Sequence, residues 1–246
     1  MSEQHSPAAF AEVLTDLSHP LIVGGQAVNL WAEIYVAAEP ELHAFEPFTS
    51  KDADIHGNRE LASILQRRSG WTCRFFDEPR QTAVAILTKS GEAEAPTLTV
   101  EVIRSVFGLN SDDLTRNQVR EIRPGKHYRI PAPFVMLKAK LANVAHLSVE
   151  KRPQDLKHAR MLLPICRAYF LELHAAIGRP DMSERNFLGA VAYATEIITS
   201  PDARTVASRH GLHFLTIFPS AFAASPHEKV RRFASQQLPQ LAARLS

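Results

Sequence analysis

The first continuous apolar stretch of the chain is Leu21-Ile22-Val23, and Gly24-Gly25 stops it. An apolar run this short, closed by glycines, reads as a buried strand entering a turn. Ahead of it, residues 8–17 carry apolar side chains at helical spacing. After it, Ala27, Val28, Leu30, Trp31, Ile34 and Tyr35 keep a helical period through residues 26–38. The chain therefore opens as helix, strand, Gly-Gly turn and helix, with Trp31 and Tyr35 facing a core.

A polar and aromatic loop is predicted over residues 39–50, a strand over 51–56 and a helix over 59–68. Residues 71–76 and 82–88 are β-like and are joined by a charged turn containing Pro79. Residues 97–104 alternate: Leu98, Val100 and Val102 point one way, and Thr97, Thr99, Glu101 and Ile103 the other. A last β-like piece, 127–130, precedes Pro131 and Pro133. Beyond Pro133 the pattern is helical over 134–147, 153–177, 184–198, 202–210 and 227–243, punctuated by Pro180, Pro201 and Pro226. This order predicts an α/β (α+β) domain with a mixed sheet over residues 1–131, followed by a helical domain over 132–246.

Composition narrows the class without naming a function. The chain is 45% hydrophobic and 22% charged, as ordinary globular proteins are, and its net charge of +2 is too small to argue for nucleic acid. Its two cysteines, Cys73 and Cys166, stand in unrelated settings and form neither a disulfide framework nor a zinc site. Residues 1–9 are polar and lack a signal-peptide core, and no apolar run approaches bilayer length. A cytoplasmic protein with no membrane partner is expected.

The chemistry begins with Asp52-Ala53-Asp54. Residues two apart on a strand leave the same face, so both carboxylates can converge on one point. Carboxylates that close repel unless a cation neutralises them, and magnesium takes one or two carboxylates together with water and phosphate oxygens. Taken alone, Asp-x-Asp is also the signature of a solvated strand end. Gly24-Gly25 adds backbone amides and a helix N-terminus suited to an anion. Glu101 is a carboxylate in the middle of a strand rich in Thr and Val. An edge-strand charge facing solvent is its plainer reading.

Across residues 21–104 these features resemble the nucleotidyltransferase superfamily that includes DNA polymerase β, and most closely its AbiEii-like bacterial branch. Members of that branch carry an apolar strand into Gly-Gly or Gly-Ser, a helix, a threonine-rich loop into Asp-x-Asp, and a third carboxylate on a later strand. Here the matching residues are Leu21 to Gly25, the helix from Gln26, Ser50-Lys51-Asp52-Ala53-Asp54-Ile55, and Glu101 within Val100-Glu101-Val102. A lysine on the first helix after the sheet and a basic loop into Asp-Leu extend the likeness to about residue 160. Met136 to Ala142 and Lys151-Arg152-Pro153-Gln154-Asp155-Leu156 fit that pattern. Three positions depart from it. Gln26 stands where a small hydroxyl residue is common, Ala53 is small for its place, and Glu101 replaces the more usual Asp.

The resemblance implies a nucleotidyltransferase domain and metal-dependent transfer of a nucleoside monophosphate from a nucleoside triphosphate to an acceptor hydroxyl on RNA, protein or a small molecule. Asp52, Asp54 and Glu101 would be the catalytic and metal-binding residues, with Mg2+ or Mn2+ as cofactor. Gly24, Gly25, Ser50, Lys51, Lys140 and Arg152 would bind the nucleotide. Lys138 is the fallback for Lys140 and Lys151 for Arg152, while Asp155 would orient the basic residue or cap the following helix. The branch also implies a toxin–antitoxin or phage-defence setting with an antitoxin partner. A catalytically inactive nucleotide-binding or protein-interaction module of the same fold is the competing reading. His56 sits at the rim of the aspartates, and Tyr128 and His127 near the domain junction read as structural. The cluster Lys229, Arg231 and Arg232 reads as a solvated helix face.

Overall fold

A computed structural model describes residues 4–15, 19–78, 81–90, 97–147 and 152–245. It holds a mixed sheet of seven strands and a succession of helices. The chain opens with a 3-10 turn, Pro7–Phe10, and a short helix α1, Ala11–Leu14. The apolar run Leu21–Val23 is β1, wholly buried, and Gly24–Tyr35 is α2. Trp31 and Tyr35 are buried and stacked at a centroid distance of 5.7 Å.

Strand β2, Ala53–His56, follows the loop, and α3, Arg59–Ser69, follows β2. The Asn58 side chain caps α3 by accepting from the Leu61 amide, and Gly70 ends it in the left-handed region at φ 72°. Strands β3 (Thr72–Phe75), β4 (Ala83–Lys89) and β5 (Leu98–Ile103) come next. A five-residue helix α4, Ser111–Thr115, is closed by a capping box between Asn110 and Asp113. Strands β6 (Asn117–Arg123) and β7 (Lys126–Pro131) form an antiparallel hairpin. The sequence pattern showed β7 and missed β6, whose run Asn-Gln-Val-Arg-Glu-Ile-Arg carries too few apolar residues to signal a strand.

Sheet order is β3-β4-β5-β2-β1-β7-β6. The central strands β2 and β5 pair in parallel, as do β1 and β7, while β1 and β2 are antiparallel. One face points Ile22, Ala53, Ile55, Val100 and Val102 into the core, all at 0% exposure. Helices α2 and α3 lie on that face. Arg120, opposite Tyr128 in the hairpin, stacks its guanidinium over Trp31 of α2, and Arg59 of α3 stacks over Phe75 of β3. The other face presents Leu21, Val23, Asp54, His56, Glu101 and Arg129, by the register of the central strands. Leu114 of α4 packs there against Leu21 and Val23, with Ile103, Val106 and Leu109 at its margin.

The elements that follow are helices: α5 (Pro133–His146), α6 (Arg152–Ala175), α7 (Glu184–Thr199), α8 (Pro201–His210), two 3-10 turns (Phe214–Ile217 and Ser220–Ala224), α9 (Glu228–Arg232) and α10 (Leu238–Leu245). A π-helical turn, Phe233–Gln237, joins α9 to α10. Ser183 caps α7, and Ser200 with Pro201 starts α8, so the prolines and serines of the sequence mark these boundaries. Phe170, Phe187, Phe218 and Phe222 cluster in the core of this half at centroid distances of 5.4–6.1 Å.

The chain divides into two compact units, residues 1–139 and 140–246. The boundary falls inside α5 rather than at the prolines expected to mark it. Pro131 and Pro133 end the sheet, but the first turns of α5 group with the strands. The backbone around Pro131 is tied down on that side: Trp31 Nε1 donates to Pro131 O at 2.8 Å, and the Ala132 amide to Arg116 O at 2.7 Å. No described helix is long and apolar enough to cross a membrane.

Candidate functional site

Gly24 ends β1 and opens α2 with φ at +65°, a conformation that costs a side-chain-bearing residue about 1–2 kcal/mol. A Cβ at this position would lie 2.9 Å from Asp54 Cγ and closer still to Asp54 Oδ2. Both the turn and the neighbouring carboxylate therefore require glycine. The Asp54 carboxylate is thus held against the first residue of α2, the positive end of a helix dipole, where negative charge is stabilised. Val23, the N-cap, contributes no side-chain bond to that helix end, and Gly25 is buried in the first turn.

Asp54 and Glu101 are register partners across the parallel pair β2 and β5. Val23 lies opposite Asp54 on its other side, and Ile86 opposite Glu101, so two carboxylates stand in one cross-strand row between apolar neighbours. Both are half-buried. Adjacent strands run about 4.8 Å apart, so the two side chains leave the face next to each other. The alternation of residues 97–104 is borne out in its central part, with Val100 and Val102 at 0% exposure and Glu101 on the opposite face.

Asp52 sits differently. The strand begins at Ala53, and Lys51 and Asp52 occupy a bend ahead of it, Lys51 exposed and Asp52 half-buried. The two-residue period of a strand therefore does not fix Asp52 beside Asp54. Among the described residues no group of three or more His, Cys, Asp or Glu side chains is placed to hold a metal ion. The donor pair Asp54 and Glu101, two hard oxygen ligands on adjacent strands, suits a magnesium ion that keeps most of its water.

Ser50 is buried and its backbone pairs with His5, the His5 amide donating to Ser50 O at 2.8 Å and the Ser50 amide to His5 O at 3.0 Å. Gln26, at 0% exposure, donates from Nε2 to the same His5 carbonyl at 3.0 Å, and its Oε1 accepts from Asn29 Nδ2 at 3.3 Å. The departure at position 26 thus has a structural use: a buried amide ties the start of the chain to the loop that leads into Asp52. Nothing in the local pattern signals this, because its acceptor is a backbone oxygen 21 positions away.

Lys138 and Lys140 pair with different acids, as residues two apart on a helix should. Lys138, in the first unit, lies 2.8 Å from Oδ2 of the capping aspartate Asp113. Lys140, in the second unit, is 6% exposed and 2.7 Å from Asp155 Oδ1. Asp155 therefore holds Lys140. Arg152 opens α6, its side chain outside the described atoms, and Lys151 lies outside the described residues. One turn beyond Asp155, His158 is 1% exposed, with Nε2 3.1 Å from Gln154 Nε2. Burial, then the charges of Lys140 and Lys157, push its pKa well below 6.5.

The remaining candidates are structural or solvated. Tyr128 is wholly buried and His127 exposed, 3.9 Å from Glu121. Lys229 is exposed and 3.7 Å from Glu184, while Arg231 donates to Ser225 O and Arg232 to Gln236. Burial raises the pKa of both thiols, slightly opposed at Cys73 by Arg59, and strongly at Cys166, which is fully buried. No family model matches this chain, and no curated protein matches its sequence.

Proposed function

We propose that the first unit is a nucleotidyltransferase domain that moves a nucleoside monophosphate from a nucleoside triphosphate to an acceptor hydroxyl. The observation that carries this reading is the placing of Asp54: beside Glu101 on one sheet face, and against Gly24 at the turn into α2. A strand, a glycine turn and a helix N-terminus set next to paired carboxylates supply both halves of the requirement, amides for phosphate and oxygens for a cation. Bound at Asp54 and Glu101, magnesium or manganese would supply charge neutralisation for the triphosphate and its leaving pyrophosphate.

The chain's own groups have separable tasks under this proposal. Gly24, by carrying no Cβ, leaves room for the Asp54 carboxylate at the first turn of α2, so that a cation held there would sit beside the helix N-terminus. Asp54 would hold the cation, while Asp52 stands in the bend that precedes β2, outside the carboxylate row. Glu101 takes the proton of the attacking hydroxyl or orients it for in-line attack. Lys140 and Arg152 lie in the second unit, where Asp155 holds Lys140, and neither is given a task at this site. The test is incubation of the purified protein with each labelled nucleoside triphosphate, magnesium and total RNA or cell lysate. A labelled RNA, protein or small molecule, absent with Asp54→Asn, supports transfer. Absence of any labelled product with all four nucleotides counts against it.

A second reading is a module that binds nucleotide without turnover. The position of Asp52 outside the strand favours it, since only two of the three carboxylates share the row. Saturable magnesium-dependent binding of a nucleoside triphosphate, with no product formed, distinguishes it.

A further inference from the structure

On the same sheet face as Asp54, but at the opposite end of β1, lies a separate cavity of about 350 Å³. Its residues come from β1, β2, β6 and β7, from α3 and α4, and from His19 and Pro20 ahead of β1. Leu21 is the register partner of His56 on one side and of Arg129 on the other. His56 and Arg129 therefore flank it at a Cα separation of about 10 Å, two strand spacings. Leu21 and Leu114 form an apolar floor, and His19 and Ser111 complete the polar rim. Among the described residues no Asp or Glu lines the cavity.

Arg129 is half-buried between the fully covered Tyr128 and Ile130. Its Nε donates to Asn117 Oδ1 at 2.8 Å, and Asn117 in turn donates to Leu114 O at 2.6 Å, so the guanidinium plane is fixed. Among the described residues no carboxylate pairs with it, and its two Nη groups keep their donors for a ligand. A half-buried guanidinium with no acid partner and a fixed plane is suited to pairing with an anion. His19 stands beside it, its Nδ1 buried without a hydrogen-bond partner, so that Nε2 is the ring nitrogen that can face a ligand. Its backbone lies at φ 44°, in the left-handed region, and such conformations collect at ligand sites.

We propose that this cavity binds a phosphate group, as inorganic phosphate or as the monoester of a small metabolite. The fork of Arg129 Nη groups matches two oxygens of a phosphate, and His19, His56 and the Ser111 hydroxyl supply the remaining donors. Its volume is at the lower end of small-molecule clefts, which run from about 300 to 1,000 Å³, and so limits the ligand to the size of a sugar phosphate. The site is independent of the carboxylate row and of the nucleotidyl-transfer reading.

Calorimetric titration of the full chain with sodium phosphate and with ribose 5-phosphate tests it. Saturable one-to-one binding is expected, weakened at least tenfold by Arg129→Gln and several-fold by His19→Asn, a residue that tolerates the left-handed backbone. Asp54→Asn should leave it unchanged. Tighter binding of ribose 5-phosphate identifies an organic monoester as the ligand, and equal binding identifies phosphate itself. Should Arg129→Gln fail to fold by circular dichroism, Arg129→Lys replaces it and should still lose at least threefold, because lysine keeps the charge without the fork. Absence of saturable binding, wild-type affinity in the folded Arg129 variant, or loss of binding with Asp54→Asn overturns the proposal.

Discussion

The Asp54 carboxylate occupies the space that a side chain at position 24 would need, so Gly24 and Asp54 are fitted to each other across the β1–β2 pair. Gly24→Ala should therefore destabilise the protein by more than the roughly 1–2 kcal/mol of a left-handed backbone alone. Gly24→Ala combined with Asp54→Ala should recover part of that loss in a denaturant melt, because the obstructing carboxylate is gone. A double variant no more stable than the sum of the two single changes would show that the two positions are not coupled.

Asp54→Asn and Glu101→Gln each keep the shape of a half-buried side chain and remove its charge. Each should leave the circular dichroism spectrum unchanged while abolishing magnesium-dependent binding of a nucleoside triphosphate. Transfer that survives within about tenfold in Asp54→Asn, a barrier change of only about 1.4 kcal/mol, would remove Asp54 from the centre of the site.

Lys140 and Asp155 are 6% and 7% exposed and meet at 2.7 Å. Asp155→Ala strands a buried ammonium and should cost about 3–5 kcal/mol of stability, whereas Lys140→Met with Asp155→Leu should cost much less. Urea denaturation of the three proteins decides this, and equal loss in the single and double variants would contradict it.

His158 gives the second unit a pH dependence of definite sign. Its folded pKa lies well below 6.5, so the unfolded chain takes up a proton at a pH where the folded one does not. Stability from this source is complete above about pH 6.5 and falls as the pH drops toward the folded pKa. The melting temperature should decline between pH 7.5 and 5, and His158→Leu should flatten that decline. A variant with the wild-type slope would assign the acid sensitivity elsewhere.

Most elements around the candidate site were legible because their apolar residues repeat at clear periods. Leu21-Ile22-Val23 and Val100-Glu101-Val102 announced strands, and the glycines announced the turn. What the sequence could not supply was register: nothing in residues 51–56 or 97–104 says that Asp54 rather than Asp52 stands opposite Glu101. The strand was expected from Lys51, yet it starts at Ala53, and that short delay separates the fates of the two aspartates. Strand β6 was hidden because it lies at the sheet edge with no fully buried residue, and its polar residues outnumber its apolar ones. The pairing of Lys140 with Asp155 joins separate helices, so no local pattern announces it.

The bond from Gln26 to His5 joins a side chain to a backbone, and this makes its demands on the sequence one-sided. Any residue at position 5 offers the same carbonyl, so the bond itself asks nothing of that side chain, which meets Phe10 edge-on at 5.9 Å. Position 26 has no such liberty. A leucine would fill the volume but release the His5–Ser50 bridge from its buried donor, and a shorter amide would fall short of the acceptor. A protein beginning at residue 7 would leave the Gln26 amide buried and unanswered, at about 1–3 kcal/mol. A fusion partner joined directly at that point would pull on the loop that delivers Asp52.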